Sequence, residues 1–227
     1  MAGFDDEAAL ASVAARAAVR RLTRGFDPGA GDVQIEAQSE AYRAFFSVQE
    51  YDLRYRRFDG SMSAEVRRAA FVSGDAVTVM PYDIERDRVF LIEQFRVGPM
   101  ARGDVNPWQF EAIAGRIDAG EGAQGAARRE AVEEAGLSLG ALLPVARYYP
   151  SPGISAECLY SYVGLCDLPD GVEGVFGLAS EAEDIRGHLI GFEDAMAMAA
   201  SGEIGNAPTL LTLFWLAGQR DRLRFTG

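Results

Sequence analysis

The sequence contains few of the side chains that usually bind transition metals or form disulfide frameworks. Of its 227 residues, one is histidine and two are cysteine. His188 alone cannot build a histidine-rich metal site, and its isolation argues against a histidine-dependent catalytic triad. Cys158 and Cys166 make neither a disulfide framework nor a zinc ribbon, so we interpret them as buried, reduced thiols of a cytoplasmic protein. Acid–base chemistry must therefore fall largely to carboxylates.

The chain also lacks a basic excess and any long hydrophobic run. It carries 34 acidic and 22 basic side chains, for a net charge of -12. Such a surface repels a phosphate backbone, so we expect no nucleic-acid partner, although a small anion remains possible where a metal neutralises it. No apolar run reaches membrane-spanning length and the acidic first residues lack a signal-peptide pattern, so we expect no membrane association.

The pattern along the chain predicts three regions. Residues 1–30 form an N-terminal extension with an amphipathic, alanine-rich helix from Asp5 to about Arg24. Residues 31–74 form a small antiparallel β domain, in which Tyr51–Arg56 alternates as a strand and returns after a hairpin turn at Asp59 and Gly60. Residues 75–227 form a larger α/β domain, and the predicted boundary falls near Gly74 and Asp75.

The larger domain is predicted to be a mixed sheet covered by helices. A last helix opens at Asn206, which we expect to be its N-cap, with Pro208 in the first turn. The predicted strands are 76–82, 88–96, 108–113, 143–149 and 157–166.

Four glutamates lie in and just before one predicted helix. On that helix Glu130, Glu133 and Glu134 are spaced i, i+3 and i+4, so their carboxylates share one face. Such a cluster needs a counter-charge, and hard carboxylate oxygens suit Mg²⁺ or Mn²⁺. The alternative is a solvated acidic helix face, but that would normally interleave basic residues, and none follows Arg129 before Leu137.

The spacing of these residues matches a known signature. Gly115, Glu121 and the run from Arg129 to Leu137 fit the Nudix box, G-x5-E-x7-R-E-U-x-E-E-x-G-U, where U is aliphatic. The one departure is Ala131, a small residue at the first U, which we expect to face the core.

On this box and on further segments the chain resembles the bacterial ADP-ribose pyrophosphatases of the Nudix superfamily. The resemblance runs from about Gly31 to Gly218, and Pro152, fifteen residues beyond Leu137, marks the ADP-ribose branch. It implies a Nudix-type α/β/α sandwich with a mixed sheet, preceded by the small antiparallel β domain. The segments that carry it beyond the box are 44–47, 65–68, 91–96, 151–153 and 181–186.

The resemblance implies a Mg²⁺-dependent hydrolysis of ADP-ribose to AMP and ribose 5-phosphate. By position in the family, the metal ligands are the carbonyl of Ala114 and the carboxylates of Glu130, Glu134 and Glu183. Metals that bridge pyrophosphate oxygens withdraw charge from phosphorus, so the assignment is chemically reasonable. Arg129 and Glu121 would orient the carboxylates.

The general base is expected from a loop outside the box, because a carboxylate bound to Mg²⁺ is a poor proton acceptor. Glu181 matches the family position. Glu157 is the rival candidate, and Glu133 lies close to the expected metals. The alternative for Glu181, Glu183 and Asp184 is a solvated acidic loop.

Substrate recognition requires cations for the phosphates and an aromatic face for the base. Arg68 and Arg96 match substrate-contacting positions of the family, and Phe45 matches an adenine-stacking residue. Ser151 and Gly153 are the remaining expected contacts. In the family the small N-terminal domain is exchanged between two subunits, so the resemblance also implies a homodimer.

Two other functions stay open at this point. The first is hydrolysis of another nucleoside diphosphate sugar such as GDP-mannose, because relatives with that activity share the box. The second is a catalytically dead Nudix domain that senses a ligand. Its expected signature is the loss of a box glutamate, and all four are intact here.

Overall fold

The computed structural model describes residues 29, 31–178 and 182–225, which fall into two compact units. The first unit contains the described residues up to Gly74 together with Tyr149–Cys158. The second contains Asp75–Tyr148 and the described residues from Leu159 onward. The N-terminal helix predicted from Asp5 to Arg24 lies outside the described residues.

The first unit is built on a three-stranded antiparallel sheet in the order β1-β2-β3. The strands are β1 (Val33–Arg43), β2 (Ser47–Tyr55) and β3 (Val66–Val72). The predicted strand around Tyr51 is therefore β2, and its predicted partner is β3, with Tyr51 opposite Arg68. Gly60 adopts a φ of 86° in the connecting turn, a conformation that glycine takes without a steric penalty. Strand β1 was not predicted.

Strand β1 exposes both of its faces. All 11 of its residues are exposed, including the apolar side chains of Val33, Ile35 and Tyr42. Strand β2, which lies between two neighbours, is mostly half-buried. A strand that leaves this much apolar surface in water gains little from the hydrophobic effect within its own unit.

The segment Tyr149–Cys158 pairs with the first unit rather than continuing the second. The backbone N–H of Phe71 donates to the carbonyl of Ile154 at 2.8 Å, and the N–H of Ala156 donates to the carbonyl of Phe71 at 2.9 Å. A single predicted boundary at Gly74 assigns this segment to the second domain. The difference arises because a boundary inferred along the sequence cannot show a segment that returns to pair with an earlier strand.

The second unit contains a mixed sheet in the order β10-β11-β5-β4-β9-β8, with β6 added beside β5 and β7 beside β4. Strands β4 and β9 are parallel, and the other described pairs are antiparallel. This architecture confirms the predicted mixed sheet. The strands are β4 (Ala76–Asp83), β5 (Arg88–Phe95), β6 (Trp108–Glu111), β7 (Ile113–Arg116), β8 (Leu142–Tyr148), β9 (Leu159–Leu165), β10 (Val175–Phe176) and β11 (Ile185–Gly191).

Helices cover this sheet and bury its core. The helices are α1 (Val97–Arg102), α2 (Ala123–Ala135), α3 (Phe192–Ser201) and α4 (Ala207–Phe225). Apolar side chains of β4, β5 and β9 form one buried cluster with residues of α3 and α4, among them Phe192, Leu213 and Leu216. Helix α2 packs against β7 and β4. Ala131 is fully buried, as expected for the small residue at the first aliphatic position of the box.

The predicted strand 108–113 is wrong as a single element. The chain breaks at Ala112 into β6, which pairs with β5, and β7, which pairs with β4. The N–H of Ala112 leaves the ladder and donates to the hydroxyl oxygen of Thr209 at 2.9 Å. Because no turn-forming residue interrupts the run from Trp108 to Ile113, its sequence pattern does not reveal the change of partner.

The last helix begins as predicted. The side-chain oxygen of Asn206 accepts a hydrogen bond from the N–H of Thr209 at 3.1 Å, as an N-cap does. Strands β10 and β11 and helices α1 and α3 were not predicted. None of the helices within residues 31–178 and 182–225 is both long and apolar enough to cross a membrane.

Candidate active site

One guanidinium organises three of the four box glutamates. Arg129 donates to Glu121 at 3.0 Å, to Glu130 at 2.7 Å and to Glu133 at 3.0 Å. A further bond to the carbonyl of Arg116 at 2.9 Å ties the side chain to the end of β7. The hydrogen bond to Glu121 is the main cause that raises the pKa of Arg129 above its usual value, and the same bond lowers the pKa of Glu121. The charge repulsion expected along α2 is therefore partly relieved by Arg129.

Glu130 is buried between α2 and β7. Its carboxylate lies directly over Gly115, where a Cβ atom would overlap it. The carboxylate of Glu130 thus occupies the space that a side chain at Gly115 would fill. This explains why the box requires glycine there. Burial raises the pKa of Glu130, although the hydrogen bond from Arg129 opposes that rise.

Glu134 is the most deeply buried carboxylate of the box, with 2% of its surface exposed. Its Oε2 accepts a hydrogen bond from the backbone N–H of Ala114 at 3.0 Å, and no guanidinium hydrogen-bonds to it among the described residues. Burial, together with the negative charges of Glu130 and Glu183, raises the pKa of Glu134 to about 8. This side chain is the one whose negative charge most needs a compensating cation.

Arg96 and Glu111 form an ion pair beside this cluster. The guanidinium of Arg96 donates to Glu111 Oε2 from Nε at 2.9 Å and from Nη2 at 2.6 Å. Burial alone would lower the pKa of Arg96, but the hydrogen bond to Glu111 and the charges of Glu134 and Glu183 raise it. Arg96 is therefore a permanent cation that faces the buried carboxylates.

Glu111 was missed in the sequence. It is the only acidic residue in the mostly apolar run from Trp108 to Ile113. An isolated acidic residue in such a run is the signal that could have identified it.

Glu183 belongs to the same cluster through its charge, which contributes to the raised pKa of both Glu130 and Glu134. Its carboxylate accepts a hydrogen bond from the N–H of Leu178 at 3.0 Å. The neighbouring Ala182 has a φ of 56°, which is uncommon for a residue with a side chain and is typical of a constrained loop. Glu181, the expected general base, lies outside the described residues.

The remaining predicted site residues lie in the first unit. Phe45 is 79% exposed, and Arg68 donates from Nη1 to the carbonyl of Arg67 at 2.9 Å. Ser151 accepts two backbone hydrogen bonds at its carbonyl and so begins the turn that contains Gly153. Glu157 accepts a hydrogen bond from the hydroxyl of Ser73 at 3.4 Å.

The second unit thus links seven charged residues through hydrogen bonds or charge interactions, and one of them, Glu134, also contacts the backbone of Ala114; the seven are Glu121, Glu130, Glu133, Glu134, Glu183, Arg96 and Arg129. Within the part of the chain that the structure describes, no three side chains of histidine, cysteine, aspartate or glutamate are arranged as a metal-ligand set. Glu121, Glu130 and Glu133 direct oxygens to Arg129 instead. The donor chemistry nevertheless fits a hard divalent cation, because the groups are carboxylate and carbonyl oxygens and two of the carboxylates, Glu130 and Glu134, are buried.

His188 lies apart from these carboxylates. Its Nε2 is 3.0 Å from Glu93 Oε2, and its ring packs edge-on against Phe110. The only histidine of the sequence is therefore part of a separate pair on β11 and β5.

The fold and the glutamate cluster are those of a Nudix protein, and comparison with known families agrees. A family described as NUDIX domain matches residues 72–212. This match covers more than half of the chain, so the protein belongs to the Nudix family.

The relatives include hydrolases of nucleotide sugars. The chain is 43% identical over 196 residues to the ADP-ribose pyrophosphatase of Escherichia coli, covering 86% of this chain and 93% of the relative. It is 31% identical over 150 residues to the GDP-mannose pyrophosphatase of an Enterobacter species, covering 66% and 77%. A solved structure described as an ADP compounds hydrolase superposes with a TM-score of 0.60 at 23% identity, covering 85% and 98%, and shows the likeness of fold.

The raised pKa of Glu134 predicts how stability depends on pH when divalent metal is removed with a chelator. Its folded pKa of about 8 lies above the ordinary value of 4.5. The stabilising contribution of the protonated carboxyl is therefore complete below pH 4.5 and is lost as pH rises through about 8. Urea unfolding at a series of pH values should show the free energy of unfolding falling across this window.

The control is Glu134→Gln, which keeps the shape and the acceptor for Ala114 but cannot ionise. Its free energy of unfolding should fall less steeply over the same pH range. Equal slopes for the two proteins would contradict the assigned origin of the pH dependence.

Proposed function

We propose that this protein hydrolyses the diphosphate bond of ADP-ribose, adding one water and releasing AMP and ribose 5-phosphate. The buried pair of Glu130 and Glu134 beside Arg96 supports diphosphate chemistry. The observation that carries the choice of substrate is the 43% identity, over 196 residues, to the E. coli enzyme named for ADP-ribose. The weaker likeness to a GDP-mannose pyrophosphatase keeps GDP-mannose as the competing substrate. The intact box glutamates argue against a non-catalytic sensing module.

Nudix hydrolases generally need a divalent metal, and here Mg²⁺ is the proposed ion, with Mn²⁺ as its closest substitute. The carbonyl of Ala114 and the carboxylates of Glu130, Glu134 and Glu183 would hold it. These are the hard oxygen donors that Mg²⁺ prefers, and Glu134 has the raised pKa of a carboxylate that lacks a counter-charge. When bound, the metal neutralises the phosphates and makes phosphorus a better electrophile.

The protein's own residues then orient and balance the site. Arg129 holds Glu130 and Glu133 in fixed positions and is itself anchored by Glu121. The Nε and Nη2 groups of Arg96 donate to Glu111, which fixes the guanidinium and leaves Nη1 to donate to a phosphate oxygen. These roles require geometry rather than proton transfer, since an arginine stays charged at any physiological pH.

The proton acceptor is proposed to be Glu181, with Glu157 as the alternative. Glu133 is less suited because Arg129 hydrogen-bonds to it.

Glu181→Gln should lower kcat by about a hundredfold, the usual contribution of a general base, with little change in KM. Glu157→Gln is the matched comparison and should retain most of the wild-type kcat. The reverse pattern in steady-state kinetics would move the base to Glu157.

Steady-state hydrolysis of ADP-ribose and GDP-mannose, each with Mg²⁺ and with a chelator, tests the substrate. We expect kcat/KM to be highest for ADP-ribose and turnover to disappear with the chelator. Higher kcat/KM for GDP-mannose would replace the substrate and keep the site. No turnover of either compound would contradict the proposal.

We also propose that the protein acts as a cytoplasmic homodimer and that the first unit contributes Phe45, Arg68, Ser151 and Gly153 to substrate binding. The support for the dimer is the exposed β1, whose apolar side chains Val33 and Ile35 need a covering surface. A second copy would bury them, as obligate dimers bury apolar strands.

Sedimentation velocity should therefore give a dimer for the wild type. The double variant Val33→Ser with Ile35→Ser should give more monomer, and Glu36→Ser, an exposed polar change beside them, is the control. A wild type that is monomeric at all accessible concentrations would contradict the dimer.

A further inference from the structure

Gln94 is a buried amide on the strand that leads to Arg96. It is 8% exposed, and its Nε2 is fully buried without a hydrogen-bond acceptor in the part of the chain that the structure describes. A buried donor that lacks a partner is rare in folded proteins, because its lost hydration is not replaced. Such a group requires an explanation, and a ligand that supplies the acceptor is a direct one.

The alternation of β5 shows which way Gln94 points. Ile92, Gln94 and Arg96 stand two residues apart along the strand and its end, so their side chains lie on the same face. Arg96 contacts Glu111, whose Cα partner across the β5–β6 pair is Ile92. Gln94 is therefore on the face of the sheet where the buried carboxylates gather.

The side chain of Glu93, the residue before Gln94 on β5, lies on the opposite face of the sheet, which agrees with the direction assigned to Gln94. Glu93 hydrogen-bonds to His188 at 3.0 Å, and Phe110, the Cα partner of Glu93, packs on the same histidine. These three side chains occupy the opposite face of the sheet. The orphan amide of Gln94 is thus separated from them and lies on the side of Arg96.

We propose that Nε2 of Gln94 donates a hydrogen bond to an oxygen of the substrate's diphosphate and so helps to bind it beside Arg96. This inference rests on the proposed function, because it needs a diphosphate in that place. An amide suits the position, since it adds a directed donor without adding another positive charge next to Arg96. The buried donor is then unpaired only while substrate is absent.

Removal of the Gln94 amide should affect stability and activity in opposite directions. Gln94→Met has nearly the same length and removes the amide. In the substrate-free protein this removes a buried unpaired donor, so the melting temperature should stay the same or rise by about 1–3 °C. With ADP-ribose and Mg²⁺, kcat/KM should fall by roughly tenfold or more, the loss expected for a hydrogen bond to a charged group.

Two further variants separate the loss of the Gln94 donor from other effects of a substitution at this place. Gln94→Glu keeps the shape but replaces the donor with a carboxylate, and its kcat/KM should fall below that of Gln94→Met. Gln109→Met is the matched control: Gln109 is the Cα partner of Gln94 on β6, and its amide already donates to backbone carbonyls at 3.4 and 3.5 Å. Its kcat/KM should remain close to that of the wild type.

The remaining outcomes distinguish a failure of the role given to Gln94 from a failure of the proposed function. A Gln94→Met protein with wild-type kcat/KM overturns the inference while an active wild type leaves the proposed function standing. A Gln94→Met protein that melts several degrees lower without substrate also overturns it, because the amide then has a partner within the protein. A wild type that hydrolyses no nucleotide sugar overturns the proposed function and this inference together.

Discussion

The site depends on the burial of two like-charged carboxylates, Glu130 and Glu134, on one face of helix α2. Burying an ionised carboxylate is costly unless hydrogen bonds or an opposite charge compensate for it. Glu130 obtains its compensation from Arg129, whereas Glu134 has a single backbone donor and a raised pKa. Without a cation, burial keeps Glu134 largely protonated near neutral pH, and the proposed divalent ion would supply the counter-charge that its ionised form lacks.

The surrounding fold meets the geometric demands of this burial. The alanines on the inner face of α2, including Ala127 and Ala131, let the helix approach the sheet closely. Gly115 leaves room for the Glu130 carboxylate, and the change of partner at Ala112 brings the backbone of Ala114 to Glu134. The same break leaves Glu111 on β6, next to β5, where it can hold Arg96. Strand β7 thus provides the backbone that contacts the carboxylates, and strand β6 provides Glu111, which holds Arg96.

The box could be predicted from the sequence because its residues are local. The spacing of Glu130, Glu133 and Glu134 follows the period of helix α2, so their shared face follows from residue spacing, and the burial of Ala131 follows from its aliphatic position in the box. The strands β2 and β4 were also predictable from alternation or from continuous apolar character. The N-cap at Asn206 follows from side-chain chemistry.

What the sequence did not reveal depends on contacts between distant segments. The pairing of Arg96 with Glu111 is set by the register of β5 and β6, and the lack of an acceptor for Gln94 Nε2 among the described residues depends on the tertiary packing around it. Strand β1 was not predicted, although apolar and polar residues alternate from Val33 to Gln38; the alternation is interrupted at Ser39 and Glu40. Arg129 was expected to orient the carboxylates, but a charge count along α2 does not show that its one guanidinium reaches three of them.

The most direct test of this account is calorimetric titration of chelator-treated protein with Mg²⁺ at pH 7, in two buffers of different ionisation enthalpy. With a pKa of about 8, Glu134 is largely protonated before metal binds. Binding should therefore release close to one proton, and Glu134→Gln should bind more weakly and release almost none. Binding of equal strength to both proteins, without a difference in proton release, would contradict the central role given to the buried carboxylate.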